Sequence, residues 1–552
     1  PVGRASRERR RTIAAAAIMD EFSYAAFRDE CTLLRVRPDN WEQVLTEQRP
    51  DFLFIESAWK GNDFAWRKYV ESAHDAPDDS LFRLIDWCKG RDIPTVFWNK
   101  EDPPNFDHFI DAAATFDFVF TTDADCIPRY IERVGHDRVF ALPFAAQPAI
   151  HNPIHSRRPR PGDVCFAGTW YNHKHDDRRE DLEQLLKPAM TRGLHIYDRM
   201  HGFTGNDSYR FPDEFQPAIY GGLSYPEMLD AYKKYRVFLN VNSVKHSPTM
   251  LSRRVLELLA CGTTVISNYS LAIERLLGRD SVALIRSEAE TADWLDQLLS
   301  DDRKRVAMVR EGQRRVFAEH LVEHRLAHIL KTIGLAEAGT RDEGVSAVSV
   351  VSSMGEATSA LESFAHQTYG KKELLLAVNS EEQVFNQIAS SVGRRSNVRA
   401  IRCERGADKA RSFAEALVNA TGGYIAIFDS ADEYGANYLT DALAAFAYTD
   451  ASLVGKACHV VRLPGGDTDY LRGEGDEHTY VENLPWNSLV GRRAVFDQSR
   501  QALGIEGLDH FAARCAKNGC RLYSTDRFEY VSHVVAGARH GQPATTRADR
   551  AE

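Results

Sequence analysis

The chain has no run of about 20 apolar residues, the length a helix needs to span a bilayer, so any membrane role would be peripheral. It also lacks an excess of positive charge: 69 Lys and Arg stand against 79 Asp and Glu, a formal net charge of −10 over 552 residues. Without a concentrated basic surface, general affinity for DNA or RNA is excluded, although local sites for a small anion are not. A disulfide framework is missing too. The nine cysteines are odd in number, scattered from Cys31 to Cys520 and mostly set in apolar runs such as Asp163-Val-Cys-Phe-Ala167. They read as reduced core thiols of a cytoplasmic protein. Cys515 and Cys520 lack further ligands at metal-type spacing, and His173 and His175 read as a solvated polar loop. The segment Arg9 to Met19 mimics a signal peptide, but Asp20-Glu21 follows directly, and a first buried strand fits better.

The length implies about three to four domains. From residue 12 to about 150, short apolar runs alternate with helical patterns, the mark of βαβ units and a parallel sheet. Strands are expected at 13–18, 52–55, 95–98, 118–121 and 139–142, each ending in polar or acidic residues. Ligands of open α/β sheets bind beyond the carboxyl ends of the strands, so Asp20, Glu56, Glu101, Asp102 and Asp123 are placed to line one cleft. The Pro- and Arg-rich stretch 151–162 reads as a linker to a second alternating unit, 151–338. That unit opens with the strand Val164 to Ala167 and the turn Gly168-Thr-Trp-Tyr-Asn172. Arg178 and Arg179 in the next helical turn would favour an anion there. A strand is expected at 237–242, Lys245 lies in the loop after it, and a long helix from Asp301 to Leu335 closes the unit. After a polar linker at 339–344, a third alternating unit runs to about residue 535, with a disordered tail at 536–552.

The most informative stretch is Ser252-Arg-Arg-Val-Leu-Glu-Leu-Leu-Ala-Cys-Gly-Thr-Thr-Val-Ile-Ser-Asn268. Apolar residues at helical spacing, a Gly262 stop and a short strand follow one another. Arg254 and Glu257, three apart, share a face. A guanidinium suits a diphosphate through bidentate contacts, and a carboxylate can accept both hydroxyls of a ribose. The competing reading is an ordinary amphipathic helix with a surface ion pair.

Ser224-Tyr-Pro-Glu-Met, Phe238-Leu-Asn-Val-Asn242 and Arg254-Val-Leu-Glu-Leu-Leu-Ala-Cys-Gly262 together resemble the carboxyl-terminal lobe of the CgeB-like, spore-maturation glycosyltransferases of GT-B fold. Asp51-Phe-Leu-Phe-Ile-Glu-Ser-Ala-Trp59, Phe97-Trp-Asn-Lys-Glu-Asp-Pro103 and Phe116-Asp-Phe-Val-Phe-Thr-Thr-Asp123 resemble the lobe paired with it. The resemblance implies an α/β protein with two Rossmann-like lobes over residues 12–335, the first (1–150) on the acceptor side and the second (151–338) on the donor side. It implies that Glu257 holds the donor ribose, that Arg254 and Lys245 face the diphosphate, and that Thr169, Trp170 and Gly262 belong to the same donor site. Many retaining relatives carry a second Glu eight residues before Glu257; this chain has Thr249 there. No metal cofactor is implied for this site. The catalytic carboxylates expected from the first lobe are Glu101, Asp102 and Asp20.

The third unit, 339–535, resembles family 2 glycosyltransferases of GT-A fold through Glu362 to Tyr369, Gly422 to Asp432 and Gly507 to Gly519. By that resemblance Asp429 and Asp432 would bind Mg2+ or Mn2+, and Asp509 matches the catalytic base. Ala431 stands where an acidic metal ligand is usual, and Asn379-Ser380 replaces the base-binding Asp, so an accessory module is expected. The expected activity is transfer of a sugar from a nucleotide-diphosphate donor to a cell-surface or spore-coat glycan or glycolipid. The alternatives are a bifunctional transferase and a non-catalytic glycan- or nucleotide-binding scaffold.

Overall fold

A computed structural model describes residues 13–156, 162–173, 176–203, 205, 207–335, 344–393, 395–464, 469–506 and 508–534. His175, most of the 339–344 linker, residues 157–161 of the first linker and the 536–552 tail lie outside the described residues. The chain divides into two compact units, residues 5–337 and 338–552.

The first unit holds both Rossmann-like lobes. Its first sheet is built from β1 (Ala14–Ile18), β2 (Thr32–Arg35), β3 (Phe52–Glu56), β4 (Thr95–Asn99), β5 (Phe118–Thr121) and β6 (Val139–Ala141) in the order β2-β1-β3-β4-β5-β6. All neighbours pair in parallel. Each of β1, β3, β4 and β5 is almost wholly buried because helices cover both faces, which is why these strands read as continuous apolar runs. The second sheet contains β7 (Gly162–Gly168), β8 (Leu194–Asp198), β9 (Tyr235–Asn240), β10 (Thr264–Asn268) and β11 (Ala283–Ile285), again parallel, in the order β11-β10-β9-β7-β8. The parallel order directs the carboxyl ends of each lobe's strands to one edge of its sheet.

The closing helix differs from expectation. Residues 301–335 form two helices, Asp302–Glu319 and Val322–Thr332. Between them the chain straightens, and Ala146 takes over its hydrogen bonding: the Ala146 amide donates to the His320 carbonyl at 2.9 Å, and the Val322 amide donates to the Ala146 carbonyl at 3.0 Å. The second helix leaves its own lobe. Val322, Leu326, Ile329 and Ile333 pack with Phe27, Phe54 and Trp98 in the first lobe's core. Arg325 fastens it by donating to the carbonyls of Pro143 (2.7 Å) and Phe144 (2.9 Å).

The second unit carries β12 (Val345–Val351), β13 (Lys372–Val378), β14 (Val398–Arg402) and β15 (Tyr424–Ile427), parallel in the order β14-β13-β12-β15. An antiparallel pairing of β15 with Val490–Arg492 extends the sheet to eight strands, and a separate four-stranded sheet includes Glu433–Tyr434 and Tyr530–His533.

Because the Val322–Thr332 helix fills the first lobe's core, Leu326→Ala should destabilise the first unit by about 2–5 kcal/mol. Urea unfolding followed by tryptophan fluorescence reads this, since Trp98 sits in that core. A loss below about 1 kcal/mol would mean that the helix contributes little to the lobe.

Candidate active site

In the first lobe, the strand ends gather three charged side chains. Glu56 is fully buried at the end of β3, where it accepts from the Ser23 hydroxyl and from the Asp20 amide (2.5 Å). Lys100, just past β4, lies 3.3 Å from Glu56 and 3.2 Å from Asp20. Burial works against the Lys100 ammonium, but Glu56 and then Asp20 outweigh it and hold its pKa above the ordinary value. Burial raises the Glu56 pKa despite Lys100. For Asp20 burial acts in the same sense, yet Lys100 and the Gly61 and Lys60 amides prevail and keep it ionised below the usual carboxylate range.

Asp20 also organises the loop after β3. Its carboxylate accepts from the amides of Trp59 (3.3 Å), Lys60 (3.0 Å) and Gly61 (2.9 Å). There the backbone takes positive φ at four successive residues: Gly61 (54°), Asn62 (46°), Asp63 (61°) and Phe64 (69°). Each non-glycine residue in that region costs roughly 1–2 kcal/mol. Asn62 offsets part of this from within, its amide donating to the Ala17 (2.7 Å) and Val36 (2.8 Å) carbonyls.

The helix singled out in the sequence spans Arg253–Ala260 and fixes the second lobe's side of the cleft. Glu257, only 2% exposed, faces Arg253, one helical turn before it, at 2.7 Å. It also accepts from the Tyr232 hydroxyl at 2.9 Å and lies 3.6 Å from His151 Nε2. Burial raises its pKa, but Arg253 and then His151 overcome that and hold it ionised. Arg253 reaches across to the first lobe, its guanidinium 4.7 Å above the ring of Phe22, which meets Tyr225 edge-on at 4.9 Å. Glu257 is thus enclosed in an inter-element network rather than presented to solvent, and its helix-face partner is Arg253 rather than Arg254.

Arg254 turns to the end of β7, where Nη1 donates to the Ala167 carbonyl at 2.5 Å while the buried Nε has no hydrogen-bond partner. Thr169 sits beside it, its carbonyl accepting from Arg178 at 2.8 Å. Trp170 is a core residue, packed on Phe211 and Phe215 and donating to Asn172 at 2.8 Å. Its buried ring has no face for a ligand. Lys245 pairs with Asp181 at 2.9 Å, and Asn268 donates to the same oxygen at 2.8 Å. Gly262 ends the helix at φ +75°, about 12 Å from Arg254 by helical rise, and faces Pro153 and Ser156. Its role is to stop the helix. Arg179 likewise caps the turn, donating to the Asn172 carbonyl at 2.9 Å.

Thr249, which stands where many relatives carry a carboxylate, is a hook between lobes. Its hydroxyl donates to the Thr122 carbonyl at 2.8 Å and accepts from the Ala124 amide at 2.9 Å, and Ser247 donates to Asp123 at 2.6 Å.

Of the remaining first-lobe carboxylates, Glu101 is half-buried and accepts from Asn105 at 3.2 Å. Asp102 is fully buried and accepts from Thr121 (2.6 Å), Asn99 (3.0 Å) and Tyr130 (3.0 Å). Its position at a strand end suggested the cleft, but these three donors draw it into the lobe, and burial pushes its pKa up to about 7. In the second unit, Asp432 is equally committed: Tyr530 (2.8 Å), Asn487 (2.9 Å) and the His533 amide (3.0 Å) take both its oxygens. Asp429 pairs with Lys409 at 3.1 Å. Asp429 and Asp432 so arranged do not fit a divalent cation, and among the described residues no group of three or more His, Cys, Asp or Glu does. Asp509 lies on the short turn Leu508–His510, and its side chain is outside the described ones.

A carboxyl whose folded pKa lies above its unfolded value binds its proton more tightly when folded, so its contribution to stability is lost as pH rises through the window between the two. For Asp102 that window runs from the ordinary value of 3.8 to about 7. Asp102→Asn should remove the loss, flattening the stability profile by up to about 4 kcal/mol between those pH values. Parallel profiles in chemical denaturation would place the proton elsewhere.

Residues 178–331 match a family model described as Glycosyl transferase-like, and residues 356–493 match Glycosyl transferase family 2. No curated protein matches the chain. Among solved structures, the chain resembles S. aureus TarS 1-349 at 17% identity and TM-score 0.28, over 34% of this chain and 60% of that one. The same TarS fragment in complex with UDP-GlcNAc aligns at 15% identity and TM-score 0.28, over 36% and 60%. Sucrose-phosphate synthase from Thermosynechococcus elongatus aligns at 12% identity and TM-score 0.37, over 53% of this chain and 75% of that one. The chain therefore spans about 60% of the TarS fragments it matches. Each of the two compact units thus contains one segment that matches a glycosyltransferase family model.

Proposed function

We propose that the two-lobed unit carries the transfer reaction, with the nucleotide diphosphate on the second lobe and a glycan or glycolipid acceptor, of the cell-surface or spore-coat type, on the first. The observation that carries this reading is Arg254. Its guanidinium lies at the end of β7, beside a helix start, with a donor still unmatched, a setting suited to a diphosphate. Lys245 and the backbone around Thr169 complete the anion side. Leaving-group charge is then neutralised by side chains rather than by a metal.

On the acceptor side, Glu101 is the carboxylate suited to take a proton, because it is half-buried with a single amide partner at 3.2 Å. Asp20 is held ionised by Lys100 and three amides, so it serves better as a fixed charge than as a base. Glu257 acts through Arg253, which it holds against the cleft. The second unit is accessory: Asp429 and Asp432 spend their oxygens on a lysine and on inward-facing donors, which leaves a cation poorly served.

A thermal-shift panel of nucleoside diphosphates tests the reading. A ligand present at 100 times its Kd should stabilise the protein by about 2.7 kcal/mol. Arg254→Ala should weaken that ligand about tenfold or more, while EDTA leaves its binding unchanged. Binding that survives Arg254→Ala but disappears with EDTA, or with Asp429→Ala, would move the donor site to the second unit.

A further inference from the structure

We propose that the strained loop between Trp59 and Phe64 is a saccharide platform on which a pyranose ring of the acceptor stacks; this deepens the acceptor assignment above and rests on it. Trp59 is 37% exposed and Phe64 56%, two large aromatic groups on one short loop that each keep part of their surface in solvent. The backbone beneath them is nonetheless held in an unfavourable conformation, with positive φ from Gly61 through Phe64. Strain of this kind persists only where the surroundings enforce it.

The enforcement is visible. Asn62 is buried and bonded to β1 and to Val36, Trp66 donates to the Val36 carbonyl at 2.7 Å, and an added Cβ at Gly61 would lie 2.8 Å from that of Trp66. Phe64, by contrast, points outward and repays none of the strain. Its conformation is one that a bulky residue rarely adopts.

The platform is also tied to the cleft. Asp20 accepts the Trp59, Lys60 and Gly61 amides with the same carboxylate that pairs with Lys100. The loop's position is therefore set by the charge cluster at the strand ends, so a ring resting on it stays next to the Asp20–Lys100 pair. Lys60 Nζ lies over one face of Phe64, 4.9 Å from its centre, and Trp59 packs edge-on with His108 (5.7 Å) and the buried Phe109 (5.2 Å), which leaves an ammonium and an imidazole near the exposed parts of the two rings. Exposed aromatic faces bordered by a few polar groups suit an amphipathic ring, apolar on its C–H face and polar at its edge.

Saturation-transfer NMR with chitopentaose, maltopentaose, cellopentaose and mannopentaose, with sorbitol as an open-chain polyol control, tests the assignment on the full chain. At least one pentasaccharide should receive saturation on its ring C–H protons, and sorbitol none. Trp59→Ala combined with Phe64→Ala should weaken that saccharide at least tenfold, whereas Trp59→Phe should retain most of the binding. Because Trp59 also packs against the buried Phe109, the folding control is an unchanged circular-dichroism spectrum with a cooperative melt well above the assay temperature. Equal binding by the double alanine variant, or no binding of any pentasaccharide to the wild type, would overturn the platform. Nucleoside diphosphate binding is measured in parallel: its absence from the wild type defeats the transferase assignment, while loss of saccharide binding alone defeats the platform.

Discussion

Arg253 and Glu257 form the contact on which the cleft depends. A carboxylate buried at 2% exposure is tolerable only with a close opposite charge and a hydrogen-bond donor; the guanidinium one helical turn earlier supplies the charge at 2.7 Å and the Tyr232 hydroxyl the hydrogen bond at 2.9 Å. Tyr232 and His151 then draw in the preceding helix and the segment crossing between the lobes. Because Arg253 also covers Phe22 of the first lobe, a pair within one helix becomes a joint between two sheets. The residue that the sequence suggested as a ribose ligand is therefore the keystone of the helix that carries Arg254.

The same economy is seen at Thr249. A carboxylate there would need a cation or solvent, whereas a hydroxyl can both donate to Thr122 and accept from Ala124. With Ser247 on Asp123, the loop after β9 is pinned to the end of β5. Together with the Val322–Thr332 helix, which crosses into the first lobe's core, this gives the two sheets three separate fastenings and makes residues 13–335 one compact unit.

Much of this was legible in the sequence, and what was not has a physical cause. Strands β1, β3, β4, β5 and β7 are buried on both faces and announce themselves as apolar runs. β2, β8 and β11 went unrecognised, being a lobe-edge strand of four residues, an alternating one and one of three residues. The break at His320 was invisible because its cause, the Ala146 backbone, lies far away in sequence. The importance of the Arg254–Glu257 segment could be read from residue type and spacing. That Arg253 rather than Arg254 meets Glu257 could have been suspected from the four-residue interval, which places both on one face. No local pattern could have shown that Asp102 turns inward, since Thr121 and Tyr130, which hold it, lie 19 and 28 residues away. Lys100 was missed because a lone lysine after a strand looks like a surface residue until two carboxylates are seen around it.

Hydrogen–deuterium exchange in the presence and absence of a stabilising nucleoside diphosphate tests the central claim most directly. The account predicts protection at the end of β7 and the start of the Arg253–Ala260 helix, around residues 165–170 and 252–256, with no change at 424–434. Protection confined to 424–434 would contradict it and make the second unit the seat of donor binding.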